Sequence, residues 1–526
     1  MEENVVAAAG QEDDSRPTSH PSTARIEENV VVPDARRGLP SHVPLQGEGS
    51  EHPMMTIGSQ WIRMRPMFPS DLLMNIATPA GGRVVLVVGA GCSSEPPTNL
   101  PSSKELSQEA YRQLIADGVI AEGDCTDPSD LSCLADAVIQ KKESQAELVQ
   151  RLRPERFRNA PPNEGHRLAA ALLCEGKLAA VLTLNFDLSL SHALADVGAG
   201  ELVSVIAKPE DGSKLGPSNI IYLHRNVDAD PEDWVLSSSS VGSNWEKWQD
   251  VITNRVLATP ITVFVGLGTR VGVLIATTQR IRDALPPGAT KTFQVDPDPR
   301  DTSVYARELN LSEGAYIQMG WIDFMRRLAF RLLEEHHAEL KEACRELQQN
   351  EGLNPEDVSG ICAGLEAGGL MRLGRLRARW MLFDNNYARR EDLAVPMIAD
   401  LLLGAALVER TTHSECVLGD DGVGEYRTGD RTLGAIVFAS GRGSRGWTTL
   451  EAEITRNAYH WEHRNPRPHW AIVAGVNGLP GAVAAPKSIV SQDDEESILS
   501  GWDRFEMISV QQLRDDPQLA SMAFKQ

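Results

Sequence analysis

A chain of 526 residues with 41% apolar and only 5% aromatic side chains has a globular composition and is long enough for two or three domains with cores of their own. Its net charge of −22 argues against a general binder of nucleic acid or anionic lipid, both of which it would repel. Seven scattered cysteines without a Cys-x-x-Cys pair fit a reduced compartment and offer neither a disulfide framework nor a four-cysteine zinc site. The opening "MEENVV" is acidic where a signal peptide is basic, and the most apolar stretch, "AVPMIADLLLGAALV", is interrupted by Asp400. These features predict a cytoplasmic protein with no membrane partner.

Residues 1–55 are rich in Pro, Ser, Glu and Arg without sustained periodicity, which predicts a disordered segment. From 56 to 335, apolar runs ("RVVLVVGA", "LAAVLTLNFD", "SNIIYLH", "PITVFVGLG", "KTFQVDP") alternate with helical patterns. That alternation predicts an α/β fold, a Rossmann-like doubly wound parallel sheet. The stretch 324–350 has the periodicity of one long amphipathic helix, with a domain boundary near its end. Residues 345–526 are expected to form a second domain, helical to about 410 and then α/β ("GAIVFASGRGS", "TTLEAEITRNAYHWEH", "HWAIVAGVNG").

In an open α/β sheet, ligands bind beyond the carboxyl ends of the strands. Four such ends carry candidate residues. Gly89, Ala90 and Gly91, with a helix beginning near Ser102 or Ser103, offer backbone N–H groups to a phosphate; a glycine turn that tightens strand-to-helix packing is the alternative. Asn185 and Asp187 flank Phe186, so alternation places both polar groups in one pocket with Phe186 turned away; the alternative for Asp187 is an Asx turn capping the next helix. His224 ends a strand, either as a general base or as a structural histidine. Gly266, Gly268 and Thr269 form a further glycine turn. In the C-terminal region a Gly/Ser-rich loop at 441–446, the arginines of "RLGRLRARW" with Arg389 and Arg390, and His460, His463 and His469 are weaker candidates for phosphate or metal.

The order of these motifs resembles the SIR2-like (sirtuin) family. Gly89, Ala90, Gly91, Cys92 and Ser93 match its Gly-Ala-Gly-x-Ser loop; Pro162, Asn163, His166, Leu168, Ala169, Thr183, Asn185 and Asp187 match its Pro-Asn-x-x-His and Thr-x-Asn-x-Asp pattern; His224, Gly268 and Thr269 follow. The resemblance spans roughly residues 60–330. It implies a small helical module within 105–165, NAD as the ligand and substrate, and a structural role for His166. Asn185 is implied to position water or ribose, His224 to act as general base and Asp187 to contact the carboxamide. Gly89, Ala90, Gly91, Ser93, Gly268 and Thr269 are implied to cradle phosphate and ribose, with Asp296 at the adenosine ribose. The family's paired Cys-x-x-Cys zinc ligands and its Asp-Phe-Arg segment are missing, so no zinc is expected and water replaces acyl-lysine as nucleophile. "NLPSSKEL" is similar to a stretch of bacterial SIR2-like defence proteins. The implied function is an NAD glycohydrolase that depletes NAD in antiviral defence. It would be a homo-oligomer, its C-terminal domain sensing a trigger protein, a partner ATPase or a nucleotide signal, or serving oligomerisation. The alternatives are a non-catalytic NAD or ADP-ribose sensor and a sirtuin-type protein deacylase. Arg225, where the family has glycine, would either clamp a phosphate or block the pocket.

Overall fold

The computed structural model describes residues 68–78, 84–198, 200, 202–242, 245–351, 369–372, 375, 396–419, 422–441, 470–475 and 506–524. The expectation for residues 1–55 lies outside these residues, as do Arg389, Arg390, His460, His463, His469 and the Gly/Ser-rich stretch after Gly441.

Seven parallel strands form the first sheet: β1 (Val84–Val88), β2 (Leu178–Thr183), β3 (Ser204–Ile206), β4 (Asn219–Tyr222), β5 (Ile261–Val265), β6 (Lys291–Asp296) and β7 (Tyr316–Gln318). Their spatial order is β3-β4-β2-β1-β5-β6-β7. The sheet therefore grows in both directions from β1, which is a Rossmann-like, doubly wound arrangement. Helices cover both faces, so β1 must be apolar at every position. Val84, Leu86 and Val88 join the core on one side, while Val85 and Val87 join the core on the other.

The helices in this part are α1 (Ser70–Ala77), α2 (Ser103–Ala116), α3 (Leu131–Lys142), α4 (Ala146–Arg151), α5 (Pro154–Arg158), α6 (Glu164–Cys174), α7 (Ser189–Val197), α8 (Ser238–Gly242), α9 (Lys247–Leu257), α10 (Gly272–Ala284), α11 (Val304–Glu308) and α12 (Trp321–Glu351). Helices α2 to α5 enclose a third core around Leu106, Leu114, Leu134, Val138 and Phe157. Val227, Trp234 and Leu236, from the segment after β4, complete that core. The helical module thus draws on residues far outside 105–165, because its own four helices leave an apolar face that the β4 exit covers.

The long helix read from the periodicity over 324–350 is α12, and it runs without a break through 335–345. Beyond it are α13 (Pro396–Thr412), strands β8 (Glu415–Leu418), β9 (Val423–Thr428), β10 (Arg431–Gly441), β11 (Trp470–Gly475) and β12 (Glu506–Ser509), and helices α14 (Val510–Asp515) and α15 (Gln518–Phe524). Strands β10, β11 and β12 are parallel, and β8 and β9 add to β10 as antiparallel neighbours. The region is helical and then α/β, with a mixed sheet. Its antiparallel edge had a readable signal: Gly429 and Asp430 separate paired residues Thr428 and Arg431, and Gly429 takes φ +58°. Buried Leu403, Tyr426 and Ile436 share one apolar core with Phe324 and Leu328 of α12.

Candidate active site

Val88, Thr183, Tyr222 and Val265 lie in one row across β1, β2, β4 and β5. Each chain leaves the sheet one residue later, so Gly89, Leu184, Leu223 and Gly266 emerge at one level. The ladder continues briefly there: Gly89 N donates to Val265 O at 3.0 Å, Leu184 N to Val88 O at 3.0 Å and Leu223 N to Thr183 O at 2.9 Å. Parallel register alone therefore gathers the glycine loop, Asn185 and His224 at one edge of the sheet.

The glycine loop is a 3-10 turn over Ala90–Ser93. It is held against the β5 exit by a second bond, from Gly91 N to Gly266 O at 2.9 Å. A Cβ on Gly89 would stand 2.6 Å from Gly266 O, and one on Gly91 would stand 2.8 Å from Gly266 Cα. Gly266 itself takes φ +64°, and a Cβ there would lie 2.7 Å from Cys92 N. The glycines are required because two backbones touch. This corrects the expectation that the N–H groups of Gly89 and Gly91 face a phosphate, since both are bonded to β5. Ala90 and Gly91 nevertheless form an exposed surface on this loop.

Ser93 is buried and links two strands. Its Oγ donates to Asp187 Oδ2 at 2.9 Å and accepts from Asn185 Nδ2 at 3.2 Å. Asn185 Nδ2 also donates to Gly89 O at 3.1 Å, so both amide protons have partners and Oδ1 is the acceptor left at the half-buried end. The other Asp187 oxygen accepts from Ser189 N at 3.0 Å at the start of α7. One Asp187 oxygen thus makes the Asx turn, and the other fastens the glycine loop, a role the sequence did not suggest. With a donor on each oxygen and the side chain buried, Asp187 is placed to support the loop.

Asn163 is the hub beneath the loop. Its Nδ2 donates to Cys92 O at 2.8 Å and Glu95 O at 3.3 Å, and its Oδ1 accepts from His166 N at 3.1 Å and Trp321 Nε1 at 3.2 Å. His166 Nδ1 accepts from Asn163 N at 3.3 Å, completing a capping box at the start of α6. Burial lowers the His166 pKa to about 4, against the pull of Asp187, so the ring is a neutral cap. Glu95 Oε1 accepts from Trp321 N at 2.7 Å and so caps α12. Sequence reasoning did not find Glu95 or Trp321. The one local hint was Gly165, where a Cβ would lie 2.2 Å from the Trp321 indole nitrogen.

His224 is 6% exposed, and burial brings its pKa down to about 4 in spite of a hydrogen bond to the Leu184 backbone. That bond favours the charged ring, so the imidazole donates to the Leu184 carbonyl. Nε2 is buried without a partner among the described residues. A neutral ring that donates from one nitrogen presents a lone pair on the other, the form a general base needs. The Phe186 ring lies 6.5 Å from the His224 ring and stacks on Trp234 at 4.3 Å. Phe186 therefore shares a side with His224, and the two neighbours of Asn185 in the chain both touch the histidine. Strand alternation did not foresee this because β2 ends at Thr183.

Arg225 neither meets the glycine loop nor fills the space before it. Its Nη1 donates to Ala207 O at 3.3 Å, Nη2 to Glu246 Oε2 at 3.1 Å, and Cζ stands 5.1 Å over the Trp248 ring. Gly268 is exposed with open space around it, and the exposed Thr269 Oγ1 lies 3.1 Å from Ser103 Oγ at the start of α2. Asp296 ends β6, half-buried; burial raises its pKa, and Oδ1 accepts from Asp298 N at 3.0 Å. Among the described residues no group of three or more His, Cys, Asp and Glu is placed to hold a metal ion, and no helix is long and apolar enough to cross a membrane.

No family model and no curated protein matches the chain. Solved structures do resemble it over about half its length. A Sir2 homologue in complex with NAD is 14% identical, with 50% of this chain and 94% of that one covered and a TM-score of 0.33. A Sir2 homologue mutant with ADP-ribose is 14% identical over 50% and 96% of the two chains, TM-score 0.32. Sir2 with a p53 peptide and NAD+ is 16% identical over 50% and 95%, TM-score 0.30.

Proposed function

We propose that the chain is an NAD glycohydrolase whose site lies between the glycine loop and the exits of β2 and β4. The observation that carries this reading is the pair of acceptors with no donor among the described residues: Asn185 Oδ1, on an amide whose Nδ2 is tied to Gly89 and Ser93, and His224 Nε2, buried on a neutral ring. Two acceptors suit a reaction in which positive charge develops on a ribose carbon. The bond from ribose C1′ to the nicotinamide nitrogen breaks with its electron pair going to nicotinamide. Water then adds its oxygen to C1′, oriented by Asn185, and passes a proton to His224 Nε2, giving ADP-ribose.

Asp187 and Ser93 hold Asn185 in place, while Ala90, Gly91, Gly268, Thr269 and Asp296 line the nucleotide side. The binding-only alternative drew on Arg225, and its guanidinium is bound to Ala207, Glu246 and Trp248. The test is to incubate the purified full chain with NAD and follow nicotinamide. Release in water that is absent from Asn185→Ala supports hydrolysis. Binding without release supports a sensor, and release only with an acetyl-lysine peptide supports a deacylase. A role in antiviral defence, oligomerisation and triggering through the C-terminal region is proposed from the sequence resemblance alone. Its test is NAD loss in cells expressing the chain upon phage challenge, with the assembly measured by mass.

A further inference from the structure

We infer that Arg225 is a positioning residue for His224, acting through the N-terminus of α9; this rests on the reading of His224 as the base. Arg225 is only 6% exposed and takes φ +68°, the left-handed region that costs a non-glycine residue about 1–2 kcal/mol. A glycine would adopt this turn freely, so the side chain must return something for the strain. What it makes is a brace. The guanidinium fork spans from the β3 exit, at Ala207 O, to Glu246 just before α9, and lies over Trp248. Glu246 is itself held, accepting from Trp248 Nε1 at 2.7 Å and donating its N–H to Gln249 Oε1 at 2.8 Å.

Gln249 closes the circuit: its Nε2 donates to Leu223 O at 2.5 Å. The residues on either side of His224 are thus tied to the same helix start, Leu223 through its carbonyl and Arg225 through its fork. His224 has one anchor of its own, the Leu184 carbonyl, and burial is what keeps it neutral. These bonds fix the backbone from which the imidazole projects. Substrate contact is not part of this role, since the fork faces Ala207, Glu246 and Trp248.

The experiment compares the full-length parent with Arg225→Gly, Arg225→Lys and Glu246→Gln. In Arg225→Gly we expect kcat for NAD cleavage to fall at least tenfold with KM changed less than twofold, and the His224 imidazole, followed by NMR against a His224→Ala reference, to titrate closer to 6.5. Arg225→Lys keeps the charge and should recover part of both readouts. Glu246→Gln, on an exposed side chain, should shift both in the same sense by less and serves if the glycine variant does not fold. A raised KM with unchanged kcat would assign Arg225 to substrate phosphate and overturn the inference. So would an unchanged His224 titration in a destabilised variant. If the parent cleaves no NAD, the proposed reaction fails, and the titration alone still decides whether Arg225 positions His224.

Discussion

Ser93 Oγ and Asp187 Oδ2 are 2.9 Å apart, and through this bond the loop after β1 is pinned to the loop after β2. The same hydroxyl accepts from Asn185, so one serine also orients that amide. Replacing Ser93 by Ala leaves a buried carboxylate short of a donor and an amide free to turn. We expect Ser93→Ala to cost about 1–3 kcal/mol of stability and to lower NAD cleavage at least tenfold, read by urea denaturation and nicotinamide release. Full activity in Ser93→Ala would show that Asn185 does not need this orientation.

The pH dependence follows from two buried histidines. His166 and His224 titrate near 4 in the folded chain and near 6.5 when unfolded. Between those values the unfolded state binds more protons, so stability rises with pH from about 4 to 6.5 and is level with respect to these groups above that. His224→Ala should flatten this part of the urea-midpoint profile, each histidine contributing on the order of 3 kcal/mol across the window. The acidic limb of NAD cleavage should lie near 4, because the base loses its lone pair only there. A limb at 6.5 would place the catalytic proton elsewhere.

Two glycines of one turn should behave oppositely. Gly266→Ala forces a side chain into the left-handed region and into Cys92, so it should destabilise by more than about 1 kcal/mol and loosen the glycine loop. Gly268→Ala meets nothing within 4 Å and should leave the melting temperature unchanged. Any loss of NAD affinity in Gly268→Ala, by calorimetry, therefore reports contact with ligand. Equal affinity would remove Gly268 from the nucleotide cradle.

Asn163 ties the glycine loop, α6 and α12 together. Asn163→Ala strips a helix cap and a buried carbonyl bond at once, with an expected cost of about 2–5 kcal/mol. Amide exchange should accelerate at Cys92–Glu95 and at the start of α12 more than at α10, which makes none of these bonds. Uniform acceleration would mean that Asn163 serves only global stability.

Much of the first sheet was legible because a doubly covered parallel strand must be apolar throughout, and "VVLVV" at 84–88 has no other economical reading. Asn185, Asp187 and His224 were legible as polar groups at strand ends. Their order along the chain pointed to a family, but it did not say which way any of them turned. The antiparallel strands β8 and β9 were passed over although the Gly429-Asp430 turn marks the hairpin of β9 and β10, since short alternating runs compete poorly with the longer apolar run of β10.

Local sequence determined the strands, the helix starts and the need for glycine near 89–91 and 266, because those depend on side-chain period and backbone sterics within a few residues. Tertiary structure alone decided what the glycines are for, which oxygen of Asp187 does what, and where Arg225 points. Apart from Ser189, two residues on from Asp187, each of those depends on a distant partner: Ala207 and Glu246 for Arg225, Ser93 for Asp187, and Val265 and Gly266 for the glycines. Hydrogen bonds are short-ranged and directional, so only the register of the parallel sheet and the packing of helices on it bring such partners within bonding distance.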